Sequence, residues 1–555
     1  MTASPARHGF SRLTYLMCVL VFVAALAVRL GYAARILVPF SADSDYYAMV
    51  GENLYNGRGL VADYAWNYFA GIPRHLPTPS NEYWMPGPSF AIAAAYGVAG
   101  GVSERVAQLP SIVFDALMSG ATALIGLLVF RRRDVALLAG GLCTVSFHLV
   151  AIAAYPDPFT MSGLFVNLGL LSLWAATRTT PATLRSSEAT SLRTTSSYGA
   201  VAGLCAGFAY LSRTDGLLLA GAAGVVALDL AFRQRERRRA AFLALTFAVA
   251  LAGVAAPWLV RQTHVFGHPG GASALRAAFA SSFDDILRAD TSVLTLSSYL
   301  GANPSAQLGY KTYVLLRELL VLAQLVGPAL LIFWMPLRDR ALRSDLLPWL
   351  AYMAFALVVP AYVFPHVTIE GSFAHLGTGF MPILCLLGAK AGIDLLSAPF
   401  SEDYEGWARA RWVPLALAIA WFPGCWLGLY PKEAHNATYR RYPEAARQVK
   451  AQFAPQVALT DMAWGLWHAA RVPCAQFPTD GADAALRVAD AVGADYLIIM
   501  ADAFQRFPAL RGISGRRRFQ YVARYPGTPA DVLVFRIAPA DAVTGGPRGS
   551  AGSGP

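Results

Sequence analysis

The chain has 555 residues, enough for several soluble domains, yet 56% are hydrophobic and only 14% charged. An average soluble chain carries roughly 25% charged residues, so a fully water-covered protein is excluded. The net charge of +11 does not describe a nucleic-acid surface either, because the cations gather in short clusters between apolar blocks: Arg131–Arg133, Arg233–Arg239, and Arg338, Arg340 and Arg343.

Arg7 and Arg12 precede the first apolar block, Leu13–Leu37. That block is too long for a secretory signal and lacks a convincing cleavage site. It is expected to span a bilayer and leave the N-terminus inside. Blocks of about 20 apolar residues cross as helices, since lipid offers the backbone no hydrogen-bond partner. Further spans are expected near 109–130, 135–154 and 158–177, then a short hairpin at 199–212 and 215–232. Those near 240–260, 313–335, 346–364, 375–395 and 411–430 complete the set. The fold class read from this is an all-α polytopic membrane bundle of about 11–13 helices, with each basic cluster on the cytoplasmic side. Pro86–Gly101 is open between a juxtamembrane helix and half of an extra hairpin. The Ser/Thr/Arg-rich stretch 178–198 reads as a mobile cytoplasmic linker.

The alternation leaves three regions outside: a first loop, 38–108, a second, 261–312, and the chain from Pro431 onward. Residues 1–430 are thus one membrane domain and 431–540 a small separate one. Val457–Thr460, Tyr496–Met500 and Val532–Ile537 read as strands, with helices around 442–452 and 480–492, which argues for an α/β layer. The Gly/Pro/Ser-rich tail 541–555 is expected to be disordered. Of six cysteines only Cys474 lies in this outside domain, so no disulfide framework is implied. No Cys/His set has zinc spacing and no Walker or dinucleotide loop occurs, which disfavours an ATP-driven pump.

Polar residues of interest gather at the expected outer face. Asp43 and Asp45 emerge where the first span ends, and Asp43 shares a helix face with Tyr47. Asp43 or Ser44 can be an N-cap, a general base for an acceptor hydroxyl or amine, or both. Glu82 follows in Asn81-Glu82-Tyr83-Trp84, where the aromatics also suit an interfacial belt. Asp157 sits in Pro156-Asp157-Pro158, a good outside turn. Arg213 and Arg261, the latter close after Trp258, run against the positive-inside trend. Arg213 can simply pair with Asp215, or both arginines can hold an anion such as a phosphate. His375 enters a later span as either an interface histidine or a ligand contact. The outside acids leave a divalent metal possible, though no spacing demands one. Asn436-Ala437-Thr438 is a glycosylation sequon.

An ordered set of segments carries a resemblance. It runs from Asp43-Ser-Asp45-Tyr-Tyr47 and Asn56-Gly-Arg-Gly59 to Tyr83-Trp-Met-Pro86-Gly87 and Tyr155-Pro-Asp157. It continues through Gly203-Leu-Cys-Ala-Gly207, Leu211-Ser-Arg213, Pro257-Trp258, Arg261 and Phe266-Gly267. With this topology the chain resembles the GT-C glycosyltransferases, in the branch of the protein O-mannosyltransferases and the lipid A aminoarabinose transferase, over roughly residues 30–430. The resemblance implies a membrane enzyme of a bacterial plasma membrane that moves a sugar from a polyprenyl-phosphate donor to a cell-envelope acceptor, by inversion. It implies Asp43 as catalytic base, with Asp45 the rival, and Arg213 and Arg261 near the donor phosphate. Tyr47, Glu82, Asp157, Trp258 and His375 become candidate substrate contacts. The chain departs from the family at Ser44, where Glu is frequent, and at His375, where Arg is usual. The alternatives are a secondary transporter or lipid flippase, which should show mid-bilayer acids and repeats, and a non-catalytic scaffold.

Overall fold

A computed structural model describes residues 12–36, 41–178, 188–270, 273–301, 304–326, 334–367, 373–397, 441–506, 510, 512–513, 518–527 and 530–539. The span expected near 411–430, the sequon at Asn436 and the tail 541–555 lie outside the described residues. In chain order the helices are α1 (Arg12–Ala33), α2 (Ala42–Tyr55), α3 (Gly87–Ala99), α4 (Glu104–Phe130), α5 (Arg133–Val145), α6 (Phe147–Ala153), α7 (Phe159–Arg178), α8 (Glu188–Ser212), α9 (Leu218–Leu228) and α10 (Arg237–Phe266). Later helices cover Pro304–Val326, Leu347–Val363, Phe373–Ser397, Arg441–Phe453, Ala463–Ala470 and Ala482–Val492. The chain divides into two compact units. One holds Met1–Phe40, Trp84–Arg261 and Ser305–Tyr430; the other holds Ser41–Tyr83, Gln262–Pro304 and Pro431–Pro555.

The first unit is a multi-pass membrane bundle. Among the described residues six helices are long and apolar enough to cross: Tyr15–Ala33, Glu104–Phe130, Phe159–Arg178, Thr214–Arg233, Arg237–Phe266 and His375–Leu395. The α5–α6 pair, bent by 53° at its break, would make a seventh. Pro86–Gly101 resolves into α3, a 13-residue apolar helix stopped by Gly100 in the left-handed region at φ 72°. The Cys143 and Thr144 carbonyls lie in the last turn of α5, where a helix needs outside donors. Arg29 of α1 supplies them, donating at 3.0 and 2.9 Å while pairing with Asp115 of α4. Both members of that pair are fully buried. Removing one partner of such a pair typically costs about 3–5 kcal/mol, so it fixes how α1, α4 and α5 meet.

The expected linker 178–198 is corrected from Glu188 on, where α8 begins and runs 25 residues; residues 179–187 lie outside the described residues. Its hydroxyls serve the helix: Thr194 donates to Thr190 O and Ser197 to Arg193 O, one turn back, at 2.9 and 3.0 Å. Buried Thr195 accepts from Arg239 Nε at 3.1 Å, and the same guanidinium caps the Ala176 carbonyl of α7 at 2.7 Å. Further along, Gly199, Gly203 and Gly207 form a four-residue repeat against α10. A Cβ on Gly203 would collide with the Phe247 carbonyl, and one on Gly207 would meet Val254 Cβ at 2.5 Å. Small residues at this spacing let two helix backbones touch.

The second unit is built on a six-stranded sheet. Its strands are β2 (Tyr64–Ala65), β4 (Ala458–Thr460), β5 (Cys474–Gln476), β6 (Tyr496–Met500), β7 (Phe519–Tyr525) and β8 (Val532–Ile537), in spatial order β2-β5-β4-β6-β8-β7. A separate two-stranded ribbon pairs β1 (Val61–Ala62) with β3 (Thr78–Pro79). The β2, β5, β4 and β6 neighbours run parallel, while β8 and β7 are antiparallel. Central β6 is apolar throughout and β7, at the edge, is buried mainly at Phe519. The Ala482–Val492 helix covers the sheet with Ala485, Val488, Ala489 and Val492, and Gly493 ends it at φ 72°. The sequence reading lacked β2, β5 and β7. The first is two residues of the segment between α2 and α3, 410 positions before their partner by the register Tyr64 with Cys474.

Candidate functional site

The α2 helix opens with a capping box, and its N-cap is neither Asp43 nor Ser44, the two candidates read from the sequence. Ser41 is the N-cap; Ser44 Oγ accepts from Ser41 N at 2.6 Å, and Ser41 Oγ accepts in return from Ser44 N at 3.4 Å. The Ser44 hydroxyl therefore does what Glu does in a more usual box. Asp43 is relieved of capping and sits in the first turn, half-buried, at the helix end where the backbone dipole favours a negative charge.

Asp45 is in a different setting. It is 1% exposed, and its Oδ1 pairs with Nδ1 of His468 at 3.0 Å. Its Oδ2 and the nearby Tyr64 hydroxyl are both buried, and neither closes a well-formed hydrogen bond among the described residues. Burial pushes the Asp45 carboxyl above its ordinary range, against the His468 hydrogen bond and charge, the Arg471 charge and the Tyr64 hydroxyl. Tyr64 is driven well up by burial and by Asp45 itself. His468 and Arg471 belong to the Ala463–Ala470 helix and its C-cap, and Arg471 reaches Glu52 of α2 at 3.1 Å. The sequence reading missed both. Their spacing of three, on an otherwise apolar helix, was the available signal.

The rest of the first loop is fixed by backbone-directed bonds. Gly57 and Gly59, at φ 73° and 80°, allow a reversal that an Arg58–Asp63 ion pair (2.5 Å) and Asn53 hold closed. The Asn56-Gly-Arg-Gly59 segment is thus a turn device. Asn81 lies in the left-handed region at φ 64°. Its N–H donates to the Tyr46 hydroxyl at 2.6 Å and its carbonyl accepts from Gln262 at 2.8 Å. Half-buried Glu82 follows this locked residue, and Tyr83 stacks on Phe69 with centroids 5.8 Å apart. Tyr47 is 1% exposed and lies edge-on to Tyr46 at 6.3 Å.

In the membrane unit a second cluster forms around Phe159, at the start of α7. Arg213 follows the end of α8, chelates Asp215 through Nε and Nη2 at 2.8 and 2.6 Å, and lies over the Phe159 ring at 4.9 Å. His375 stacks on that ring at 3.9 Å, and Thr378 donates to the Phe159 carbonyl at 3.0 Å. Asp157, half-buried, stands two residues before Phe159 and its carbonyl accepts from Ser111 at 3.1 Å. Arg261 rests instead on Trp258, 4.9 Å from its centroid and one turn back on α10. Helix alternation sets these residues at one end of the bundle. Arg132, Arg178 and Arg233, paired with Asp134, Asp345 and Asp229, mark the other end. Among the described residues no three His, Cys, Asp or Glu side chains gather as a metal site.

No family model matches the sequence, and no curated protein matches it. Solved structures do. The archaeal oligosaccharyltransferase AglB from Archaeoglobus fulgidus, in complex with an inhibitory peptide and a dolichol-phosphate, superposes with a TM-score of 0.57 at 12% identity, over 94% of this chain and 74% of that one. ArnT from Cupriavidus metallidurans bound to undecaprenyl phosphate gives 0.56 at 13% identity, over 94% of this chain and 98% of that one. Its apo form gives 0.57 at 13%, over 93% and 97%. The chain shares their fold. It is the GT-C-like membrane fold that the sequence resemblance implied, with a strand-containing C-terminal region.

Proposed function

We propose that the chain is an integral membrane glycosyltransferase that moves a sugar from a polyprenyl-phosphate donor to a cell-envelope acceptor on the outer face of a bacterial plasma membrane. One observation carries the reading. Two proteins solved with polyprenyl-type phosphates, ArnT with undecaprenyl phosphate and AglB with dolichol-phosphate, match nearly the whole chain. In this reading the acceptor hydroxyl or amine gives its proton to Asp43 and attacks the anomeric carbon. The bond to phosphate breaks with inversion, and the polyprenyl phosphate leaves with its charge met by Arg213 and Arg261. Glu82, Asp157 and His375 orient sugar or acceptor, and Tyr47 and Trp258 support them. The setting of Asp43 supports its role: it is half-buried in the first turn of α2, just after the Ser41 cap, whereas Asp45 is 1% exposed and paired with His468. The bidentate Asp215 holds Arg213 in one orientation, which is what a fixed phosphate contact requires.

The test is transfer of radiolabelled sugar from polyprenyl-phosphate donors to cell-envelope acceptors by the purified chain in liposomes. Wild type transfers, and Asp43→Asn loses at least about 100-fold, the usual scale of a general base. Full activity in Asp43→Asn at normal membrane yield removes the base assignment. No transfer by folded wild type with any donor removes the transferase.

A further inference from the structure

The Ala463–Ala470 helix and its C-cap touch α2 directly and reach the Glu82 segment through Tyr64 and Tyr46. His468 holds Asp45 at 3.0 Å, and Arg471, lying 3.9 Å over the Trp467 ring, holds Glu52 seven residues further along α2. Trp467 in turn leans on Tyr64 at 6.3 Å, and Tyr64 meets Tyr46 edge-on at 6.1 Å. The Tyr46 hydroxyl is the acceptor that locks Asn81, the residue before Glu82. One short helix from the C-terminal region thus braces the segment bearing Asp43 and the segment bearing Glu82.

We infer that His468 is a positioning residue for the transfer reaction: its hydrogen bond to Asp45 sets the first turn of α2, and with it Asp43. The inference rests on the glycosyltransferase reading and makes the C-terminal region a working part of it. A carboxylate can only accept, so Nδ1 of His468 carries the proton when Asp45 is ionised. An apolar pair at this place would be at least as stable as a buried acid with a histidine. The polar pair gives a direction instead, because a hydrogen bond fixes the angle of α2 where a greasy contact would let it slide. Arg471 and Glu52 add a second fixed point two turns on, so the helix is held against both rotation and tilt.

The experiment uses the full chain in liposomes with His468→Ala and His468→Asn, whose amide N–H replaces Nδ1–H. His468→Ala is expected to lower kcat by roughly 10–100-fold, the scale of a misplaced reacting group, with donor KM within about twofold. It also speeds amide exchange in the first turn of α2 and leaves the membrane helices unchanged. His468→Asn restores most of both. Should the alanine variant fail to reach the membrane, His468→Leu fills the volume without a donor and carries the same expectations. Unchanged exchange in α2 overturns the inference, as does a rise in KM at constant kcat, or an Asn variant as impaired as the apolar ones. Absence of transfer by wild type removes the transferase reading, and the exchange rates still decide whether His468 sets α2.

Discussion

Asp43 and Asp45 stand two positions apart on α2, so their side chains are turned roughly 200° from each other about the helix axis. One sequence motif therefore presents two acids to two environments. The sequence made both legible as candidates but could not rank them, because the ranking depends on His468, a residue 423 positions from Asp45. Burial raises the folded pKa of Asp45 above that of the unfolded chain. The folded state then holds the proton more tightly, so this contribution to stability is present below the ordinary carboxylate pKa and lost as pH rises through the raised folded value. Asp45→Asn keeps an acceptor for His468 and carries no charge to bury. Its thermal stability relative to wild type should therefore improve from pH 4 to pH 8, gaining about 2–4 °C per kcal/mol recovered. A difference that is flat or falls with pH, followed by intrinsic fluorescence, would mean that the His468 and Arg471 charges outweigh burial.

At the level of elements, apolar length was a sufficient signal for α4, α7 and α10, and an insufficient one for α8. Its first turns are polar, and they are helical because Thr195 and Arg239 bury against each other beside the end of α7. Hydropathy sees only the second half of that arrangement. The second half also carries Gly199, Gly203 and Gly207, where α8 meets backbone and side-chain atoms of α10. Overpacking a tight contact costs about 1–3 kcal/mol, and at Gly203 the obstacle is the Phe247 backbone carbonyl, which cannot rotate away. Gly203→Val is expected to abolish or sharply reduce monodisperse protein on size exclusion in detergent. Gly253→Ala, on α10 but with open space around its Cα, should be recovered at wild-type yield. Equal yields for the two variants would refute close α8–α10 packing. Arg213 follows α8 directly, so the same contact fixes where that guanidinium starts.

For the molecule as a whole, the sequence announced the membrane bundle because lipid imposes a composition, and it announced β6 and β8 because they are short apolar runs, the second interrupted only by Arg536. It did not announce that the C-terminal sheet is completed from the segment between α2 and α3. A two-residue strand has no periodicity to read, and Tyr64–Ala65 is a strand only because Cys474 and Ala475 lie beside it. An appended domain would leave loop one intact when removed. Here β2 would lose β5, its sheet neighbour among the described residues, Asp45 would lose His468, and Glu52 would lose Arg471. A buried polar group left without its partner, as Asp45 would be, costs about 1–3 kcal/mol. A chain ending at Tyr430 should therefore insert with its membrane helices protected from proteolysis, while residues 41–83 become rapidly cleavable and transfer is lost. Retained protection of 41–83 in the truncated chain would show that the loop holds its own shape, and would return the C-terminal region to the status of an attached module.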